Sequence, residues 1–257
     1  MKNNMMRLDK YLADCGIGTR SEVKKYVKAK QISVNGEVVS KADMKIGENT
    51  DEVRFKGQLI MYEKYVYYLF HKPAGCVTAK QDNLHKTVMD YFPEEIRTKD
   101  IAPVGRLDLD TEGLLLLTND GPLTHHLLSP THHIPKTYYA ILDKEVPSSA
   151  IEYFEKGVDI GDEKLTLPAQ LKILPVRMAD EMKSDDRKKE KIGSAVSSPI
   201  YSAELTIHEG RFHQVKRMFE AVGCKVLYLK RLSMGNLVLG DLQVGEYRKL
   251  DSSELVF

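Results

Sequence analysis

The stretch GRLDLDTEGLLLLTNDG, Gly105 to Gly121, sets four consecutive leucines among four carboxylates. The leucine run has no polar alternation, which is typical of a short strand covered on both faces. Asp108 stands just ahead of this strand, where a carboxylate would be held rigidly and partly out of water. Both conditions favour a catalytic role, although capping a turn or pairing with Arg106 explains the residue types equally well. The other acids of the stretch are predicted to be solvated or turn-forming: Asp110, Glu112 and Asp120.

Short strand-like segments outnumber helical ones on both sides of this stretch. The segment YVYYLFHKPAG, residues 65–75, is strongly β-prone and ends at proline and glycine. Further strand patterns lie at 137–143, 168–174, 200–208, 225–230 and 236–239, and helical patterns at 86–92, 122–129, 148–156 and 213–222. This mixture predicts an α+β domain, residues 63–257, around a central mixed, mainly antiparallel β-sheet. A polar, charged interruption at 177–198 is predicted to be a surface loop.

Residues 1–62 are predicted to form a separate small domain of two helices and a hairpin. The residues Leu8, Tyr11, Leu12 and Cys15 follow the i, i+3, i+4, i+7 spacing of an amphipathic helix. A second helix is predicted to start at a capping box formed by a threonine and a glutamate, Thr19 and Glu22. The segment ISVNGEVV, 32–39, predicts a hairpin because Asn-Gly suits the positive φ angles of a type I′ turn.

The first 30 residues carry eight lysines and arginines against three acids. Such an excess is the electrostatic footprint of a surface that binds a polyanion. On the second helix the basic residues fall largely outside the apolar stripe, and phosphate contacts from them would position RNA without reading its sequence. A charged helical pair that binds nothing is the alternative reading of the same residues.

The composition limits the class of protein. Of 257 residues, 42% are hydrophobic and 29% charged, as in a soluble globular protein. No apolar run approaches the roughly 20 residues that span a bilayer, and the N-terminal segment lacks the apolar stretch of a signal peptide. We therefore expect a cytoplasmic protein, without a membrane partner. Three scattered cysteines and the adjacent pair His132-His133 predict neither a disulfide framework nor a metal site, and no P-loop, GxSxG or HExxH motif is present.

Two further segments concentrate polar side chains at the start of a helix or a strand. HEGRFHQVKRMFEAVG, 208–223, predicts a helix from His213 whose first turn crowds basic and polar groups, an arrangement that binds anions. In HHIPKTYYAIL, 132–142, Lys136 precedes a strand that carries two tyrosines. Alternation sends Tyr138 and Tyr139 to opposite faces, so one ring is placed to line a pocket and stack on a base while the other packs.

Taken together and in this order, GRLDxxTxGLLLLTNDG, KTY and EGRFHQVKRMFEAVG resemble the RsuA/RluB group of pseudouridine synthases. The N-terminal segment MRLDKYLADCGIGTRSEVKKYVKAKQISVNGEVV resembles the S4 RNA-binding domain. The resemblance covers nearly the whole chain apart from 177–198. It implies a central mixed sheet with a catalytic cleft, no cofactor, no metal, and ribosomal RNA as the partner. We expect a monomer, since no sequence feature demands a dimer.

The resemblance also assigns roles to residues. It implies that Asp108 is essential, that Tyr138 stacks on the target uracil, and that Lys216 pairs with the catalytic carboxylate. Arginine is common at the last position, so the lysine keeps the charge but loses the bidentate fork. Arg106 would help to hold the flipped-out nucleotide. From their charge and position, further RNA contacts are predicted for Lys136, Arg211, His213, Gln214 and Arg217 in the larger domain and for Arg7, Lys10, Arg20, Ser21, Lys24, Lys25 and Lys28 in the smaller one.

The implied reaction breaks the N-glycosidic bond of one uridine, turns the uracil and rejoins it through C5, after the base has been flipped into a pocket. Asp108 would act either as a nucleophile on the sugar or as a base that removes a sugar proton. The segment FEKGVDIGDEKLTLPAQL, together with HQVKRMFEAVG, looks most like the small-subunit members of the group, which modify uridine 516 of 16S rRNA.

Three alternatives stay open on the sequence alone. The first is a member of the same group that acts on 23S rRNA, and the second is a non-catalytic RNA-binding ribosome assembly factor. The third is a glycosidase with paired carboxylates at Asp108 and Asp110. A glycosidase needs two opposed carboxyl groups about 5–9.5 Å apart, which neighbours in one loop do not ensure, and it leaves the basic N-terminal domain unexplained.

Overall fold

A computed structural model describes residues 5–48, 50–177 and 199–257. The chain divides into two compact units, Met1–Val66 with Phe92–Ile101 and Tyr67–Tyr91 with Ala102–Phe257. The predicted boundary after residue 62 lies close to the end of the first segment. The surface loop predicted at 177–198 falls, apart from Arg177, outside the described residues.

The first unit contains the predicted helices and hairpin together with further short strands. Its elements are β1 (Met5–Arg7), α1 (Leu8–Asp14), α2 (Arg20–Lys28), β2 (Ile32–Val34), β3 (Glu37–Val38), β4 (Lys45–Gly47), β5 (Val53–Phe55), β6 (Gln58–Ile60) and α3 (Glu94–Arg97). The predicted capping box is confirmed, because the Thr19 hydroxyl accepts from the Glu22 amide and the Glu22 carboxylate accepts from the Thr19 amide. The hairpin turn has φ of 52° at Asn35 and 87° at Gly36, as a type I′ turn requires.

The region 40–65 is the part of this unit that the sequence did not resolve into elements. Strand β4 pairs with β1, and β5 and β6 extend the hairpin into a four-stranded sheet in the order β3-β2-β5-β6. Each of these strands is three residues long, too short for an alternating pattern to stand out from the neighbouring turns.

The second unit is built on one large sheet. Its elements are β7 (Tyr67–Lys72), a 3₁₀ turn (Val88–Tyr91), β8 (Ala102–Pro103), β9 (Glu112–Thr118), α4 (Gly121–Leu128), a 3₁₀ turn (Pro130–His132), β10 (Lys136–Leu142), α5 (Ala150–Lys156), β11 (Gln170–Ile173), β12 (Tyr201–Ile207), α6 (Gln214–Ala221), β13 (Val226–Met234), β14 (Leu237–Val238), β15 (Tyr247–Lys249) and a 3₁₀ turn (Ser252–Glu254).

The nine strands run in the order β11-β12-β10-β13-β9-β7-β15, with β14 beside β13 and β8 beside β9. The pair β9 and β13 is parallel and the other pairs are antiparallel. The predicted mixed, mainly antiparallel sheet is therefore confirmed. Strand β13 runs beyond the predicted 225–230, the helix predicted at 86–92 is a single 3₁₀ turn, and the short edge strands β8 and β15 were not predicted.

Strand β9 lies inside the sheet, between β13 and β7, and every one of its seven residues is buried. The leucine run is therefore core, as its sequence pattern predicted. Gly113 has a φ of 111°, and a Cβ atom there would lie 2.5 Å from the backbone nitrogen of Arg231. Only glycine allows β9 and β13 to approach this closely at the point where they pair in parallel.

Two of the three acids predicted to be solvated or turn-forming are buried. Glu112 is 3% exposed and Asp120 is 8% exposed. The Glu112 carboxylate accepts a hydrogen bond from the Tyr228 hydroxyl at 2.8 Å. The Asp120 carboxylate caps α4 by accepting from the Leu123 amide at 3.0 Å, and it also accepts from the Tyr67 hydroxyl at 2.8 Å. The prediction was wrong for Glu112, because a partner distant in sequence offsets the cost of removing its carboxylate from water. Asp120 is turn-forming, since it caps the start of α4.

Among the described residues, no helix is long and apolar enough to cross a membrane.

Candidate active site

A pocket of about 730 Å³ opens on one face of the large sheet. Its wall consists of the loop that precedes β9, the first residues of β10, the middle of β13 and the segment that leads into α6. Three predicted functional residues, Asp108, Tyr138 and Lys216, all line this pocket. They come from separate elements of the sequence, so it is the sheet that brings them together.

A buried lysine holds the loop 105–111, which carries Asp108, through hydrogen bonds to the loop backbone. Lys72 has no exposed surface. Its ammonium group donates hydrogen bonds to the backbone carbonyls of Pro73 at 3.1 Å, Asp108 at 3.0 Å and Thr111 at 2.9 Å. Burial lowers the pKa of Lys72. Three carbonyl acceptors satisfy the three N–H bonds of the ammonium group, and two of them fix the loop backbone at Asp108 and at Thr111.

Two further contacts hold the same loop. The Thr78 hydroxyl donates to the Leu107 carbonyl at 2.8 Å and accepts from the Leu107 amide at 3.1 Å. The Gly75 amide donates to the Leu109 carbonyl at 2.7 Å. The residues on both sides of Asp108 are therefore bonded to the segment that follows β7. Such rigidity keeps a reacting group in position for catalysis.

The Asp108 carboxylate lies between a lysine and a histidine. Its Oδ2 atom is 3.3 Å from Lys216 Nζ, and its Oδ1 atom is 3.6 Å from His213 Nε2. The side chain is 30% exposed, so it reaches the pocket while losing most of its contact with water. A carboxylate held in this way can attack a sugar carbon or accept a proton from it.

Lys216 also forms a closer pair with the next acid of the loop. Its Nζ atom donates to both carboxylate oxygens of Asp110, at 2.7 and 2.9 Å. Burial raises the pKa of Asp110, but the hydrogen bond and positive charge of Lys216 outweigh this and leave the pKa below its ordinary value. The Asp110 side chain is 70% exposed, so it is solvated as predicted, yet it is also paired, which the sequence did not indicate.

The segment before α6 has a fixed conformation. His213 adopts a left-handed conformation with a φ of 49°. Gln214 is 3% exposed, and its amide oxygen accepts from the Arg211 backbone amide at 3.0 Å while its amide nitrogen donates to Glu209 at 3.1 Å. In this structure Gln214 therefore positions the loop, and the RNA contact predicted for it stays a prediction.

The guanidinium groups of Arg211 and Arg217 bond to protein atoms. Arg211 donates to the backbone carbonyls of Lys164 at 2.6 Å and Leu165 at 2.7 Å. Arg217 donates to the carbonyl of Ile160 and forms an ion pair with Asp162. The hydrogen bond and charge of Arg217 lower the pKa of Asp162. Both arginines thus tie the segment 160–165 to the start of α6, and the RNA contacts implied for them stay predictions.

The two tyrosines of β10 point to opposite faces, as predicted. Tyr138 is buried and lines the pocket. Tyr139 packs on the other face, where its ring centroid lies 6.4 Å from that of Tyr228. Strand pairing sets Tyr138 opposite Arg231 of β13, and Leu229 of the same strand also lines the pocket.

Two cations lie on the inner wall of the pocket. Arg231 is 2% exposed, and its Nε atom donates to the Leu114 carbonyl at 2.8 Å. Lys136 Nζ donates to the Ile134 carbonyl at 2.9 Å. Burial, together with the charge of Arg231, lowers the pKa of Lys136 to about 8. Lys136 was a predicted RNA contact, and Arg231 was not identified from the sequence.

The remaining predicted RNA-contacting residues are exposed to solvent. Arg106 is exposed on the pocket rim. In the first unit the candidates are also exposed: Arg7, Lys10, Arg20, Ser21, Lys24, Lys25 and Lys28. Arg7 differs from the others because its guanidinium forms two hydrogen bonds to Asp9, at 3.0 and 2.7 Å. Within the described ranges, no group of three or more His, Cys, Asp or Glu side chains has a geometry for a metal ion.

Sequence reasoning missed Lys72 and Thr78 as residues that fix the loop. Lys72 is a charged residue at the end of the apolar run YVYYLFHK. A lysine at the end of a strand that is otherwise buried is unusual unless it finds acceptors, so this signal was present. Thr78 carried no comparable signal.

Comparisons with known proteins agree with this geometry. Residues 66–221 match the family described as RNA pseudouridylate synthase, and residues 6–51 match the S4 domain. The chain is 36% identical to a solved pseudouridylate synthase with a TM-score of 0.62, and 97% of each chain is covered.

Three curated relatives span nearly the whole chain. An uncharacterised RNA pseudouridine synthase of Bacillus subtilis, YtzG, is 43% identical, with 97% of each chain covered. Ribosomal small subunit pseudouridine synthase A of Haemophilus influenzae is 37% identical, covering 97% of this chain and 98% of the relative. Ribosomal large subunit pseudouridine synthase B of Bacillus subtilis is also 37% identical, covering 98% and 94%.

Proposed function

The chain belongs to the RNA pseudouridylate synthase family and carries an S4 domain, and on that premise we propose that it converts uridine 516 of 16S rRNA into pseudouridine. Enzymes of this family isomerise uridine to pseudouridine. The observation that carries the proposal is the position of Asp108, whose carboxylate lies 3.3 Å from Lys216 Nζ in the pocket that Tyr138 also lines.

The reaction begins with binding and base flipping. The exposed basic residues of α2 suit phosphate contacts, which supply affinity without reading sequence. The target uridine leaves its stack and enters the pocket, where Tyr138 offers a face for the uracil. Arg106, exposed on the rim, is in reach of the flipped nucleotide's backbone and holds it outside the RNA helix.

Chemistry then takes place at the sugar. Asp108 either attacks C1′ or removes a proton from the sugar, and in both cases the electrons of the C1′–N1 bond leave with the uracil. The uracil turns so that C5 faces C1′. As the new C5–C1′ bond forms, Asp108 either leaves C1′ with the electrons of its ester bond or returns the proton to the sugar, and the proton on C5 is released. Lys216 offsets the negative charge of Asp108 before the reaction and orients the carboxylate.

The small-subunit target is supported by the names of several relatives. Small-subunit synthases A from Haemophilus influenzae, Vibrio cholerae and Escherichia coli are 36–37% identical over at least 97% of each chain. The large-subunit synthase B of Bacillus subtilis has 37% identity, so 23S rRNA is the second candidate substrate.

Mapping pseudouridines in both rRNAs separates the two targets. RNA from a strain that lacks the gene is treated with carbodiimide and analysed by primer extension, beside RNA from the parent strain and from the strain complemented with the gene. We expect the stop at uridine 516 of 16S rRNA to disappear on deletion and return on complementation. A 16S stop that survives deletion while a 23S stop disappears would assign the enzyme to the large subunit.

A further inference from the structure

Phe212 is a large apolar side chain that stays exposed beside the candidate catalytic centre. It is 77% exposed and lines the same pocket as Asp108. Its ring stacks on His213 with centroids 3.9 Å apart and an interplanar angle of 16°. One face of the phenyl ring is thus supported by the imidazole, while most of the rest faces solvent.

The ring is presented rigidly. The Phe212 carbonyl accepts from Arg217 Nη1 at 3.1 Å, and the next residue, His213, is fixed in a left-handed conformation with a φ of 49°. His213 Nε2 in turn lies 3.6 Å from Asp108 Oδ1. The exposed phenyl, the imidazole and the carboxylate therefore form one connected series from the rim to the reacting group.

The surroundings of the ring suit a nucleic acid. Leu109 and Leu128, each 43% exposed, also line the pocket, and the exposed cation Arg106 lies in the same lining. Apolar and aromatic side chains beside a cation are the usual surface for an unpaired nucleotide, since bases stack on the rings and phosphates pair with the charge.

Base flipping creates a need for such a surface. When the target uridine leaves the RNA stack, the bases on either side each lose a stacking partner, which is unfavourable. The two flanking bases stay close to the pocket mouth, because the RNA backbone connects each of them to the uridine inside the pocket. An exposed ring at the mouth can restore a stacking contact to one of them, whichever base it is, because every base has a flat aromatic face.

We propose that Phe212 is the platform on which the base next to the flipped uridine stacks. The inference rests on the proposed function, because it takes the RNA substrate as given. It assigns to Phe212 a role in RNA binding through an aromatic face, not through hydrogen bonds, and it makes His213 the support beneath that face.

Fluorescence offers a direct test because the chain contains no tryptophan. Phe212→Trp in an Asp108→Asn background would carry a single indole and would not turn over. The probe is a 16S rRNA fragment around uridine 516, prepared intact or with an abasic site on the 5′ or the 3′ side of that uridine. We expect the intact RNA to quench the indole and one of the abasic RNAs to quench far less at saturation. Equal quenching by all three RNAs, or none by the intact RNA when it binds, would overturn the proposal.

Kinetics supply the second measurement. Loss of the ring on which the base stacks should lower kcat/KM about 10-fold in Phe212→Ala, since 1.4 kcal/mol corresponds to a factor of ten. Phe212→Tyr and Phe212→Trp keep the ring and should retain nearly full activity, whereas Phe212→Leu keeps only apolar surface and should resemble Phe212→Ala. If Phe212→Leu had the same kcat/KM as Phe212→Tyr, the contact would be merely apolar, and stacking would be contradicted.

A matched control is Val238→Ala, because Val238 is 62% exposed and lies outside the pocket lining. It should change neither kcat/KM nor the melting temperature. The proposed function fails separately if the wild-type enzyme releases no tritium from 16S or 23S rRNA labelled with [5-³H]uridine. Even then, the quenching experiment reports on stacking, because it needs RNA binding and not turnover.

Discussion

Lys72 Nζ donates a hydrogen bond of 3.0 Å to the backbone carbonyl of Asp108, although the two residues are 36 positions apart in the chain. The same ammonium group bonds the carbonyl of Thr111. Because the ammonium group bonds the backbone carbonyl of Asp108 and not its carboxylate, the Asp108 side chain remains in the pocket beside Lys216. The position of the catalytic loop therefore depends on a residue that does not touch the substrate.

Replacing this lysine tests its positioning role. Lys72→Met leaves three buried carbonyls without a donor, so we expect the free energy of unfolding to fall by roughly 2–4 kcal/mol. We also expect kcat to fall at least 10-fold, with little change in RNA affinity, because the loop moves while the exposed basic surface does not. Urea unfolding, RNA titration and tritium release measure the three quantities. The control is Lys172→Met, whose lysine is 71% exposed; unchanged kcat in a folded Lys72→Met protein would refute the role.

The two carboxylates bound to Lys216 should differ in importance. Asp110→Asn removes the acid that Lys216 contacts at 2.7 Å but leaves Asp108 at 3.3 Å. We expect less than a 10-fold loss of kcat, against near-complete loss in Asp108→Asn, measured by tritium release under identical conditions. If Asp110→Asn abolished activity as fully as Asp108→Asn, the assignment of Asp108 as the catalytic carboxylate would be contradicted.

Asp110 should also make the free energy of unfolding depend on pH in acid solution. Its pKa in the folded protein lies below the ordinary 3.8, so its stabilising contribution is present above that value and is lost as pH falls through the folded pKa. Because the side chain is exposed, the contribution is small, about 0–1 kcal/mol. Acid unfolding curves of wild type and Asp110→Asn should diverge only above the lowered pKa. Parallel curves over the whole acid range would show that the pair with Lys216 contributes nothing.

Lys136 predicts a second pH dependence of stability, in alkaline solution. Its pKa is about 8 in the folded protein against an ordinary 10.5, so folding disfavours its charged form. The cost is fully present below pH 8 and disappears as pH rises from about 8 to 10.5. Relative to Lys136→Met, wild type should gain stability over that range in urea unfolding. A constant difference between the two proteins would contradict the buried, charged state of Lys136.

Gly113 should tolerate no side chain. Gly113→Ala would place a methyl group 2.5 Å from the Arg231 backbone nitrogen, which forces β9 and β13 apart. We expect a loss of roughly 3–5 kcal/mol in the free energy of unfolding. Gly121→Ala is the matched control, since nothing lies within 4 Å of a Cβ there. Near-wild-type stability of the Gly113 variant would show that the parallel pair is not as tight as described.

The sequence predicted the large sheet because its strands are long enough to show a pattern, as in the buried run Leu114 to Leu117. It did not predict β4, β5 and β6, since three residues carry no recognisable alternation. Glu112 was expected in solvent because its partner, Tyr228, is 116 positions away and no local pattern connects them. The proximity of Asp108 and Lys216 was implied by family resemblance, not by spacing, because only the assembled sheet brings two loops together.

The central claim is that Asp108 enables a uridine isomerisation. Its most direct test is tritium release from rRNA labelled with [5-³H]uridine, under single-turnover conditions, by wild type, Asp108→Asn and the exposed control Asp241→Asn. We expect wild type and Asp241→Asn to release tritium at the same rate, and Asp108→Asn to release none above background while still binding the RNA. Release by Asp108→Asn at a rate near that of wild type would contradict the claim.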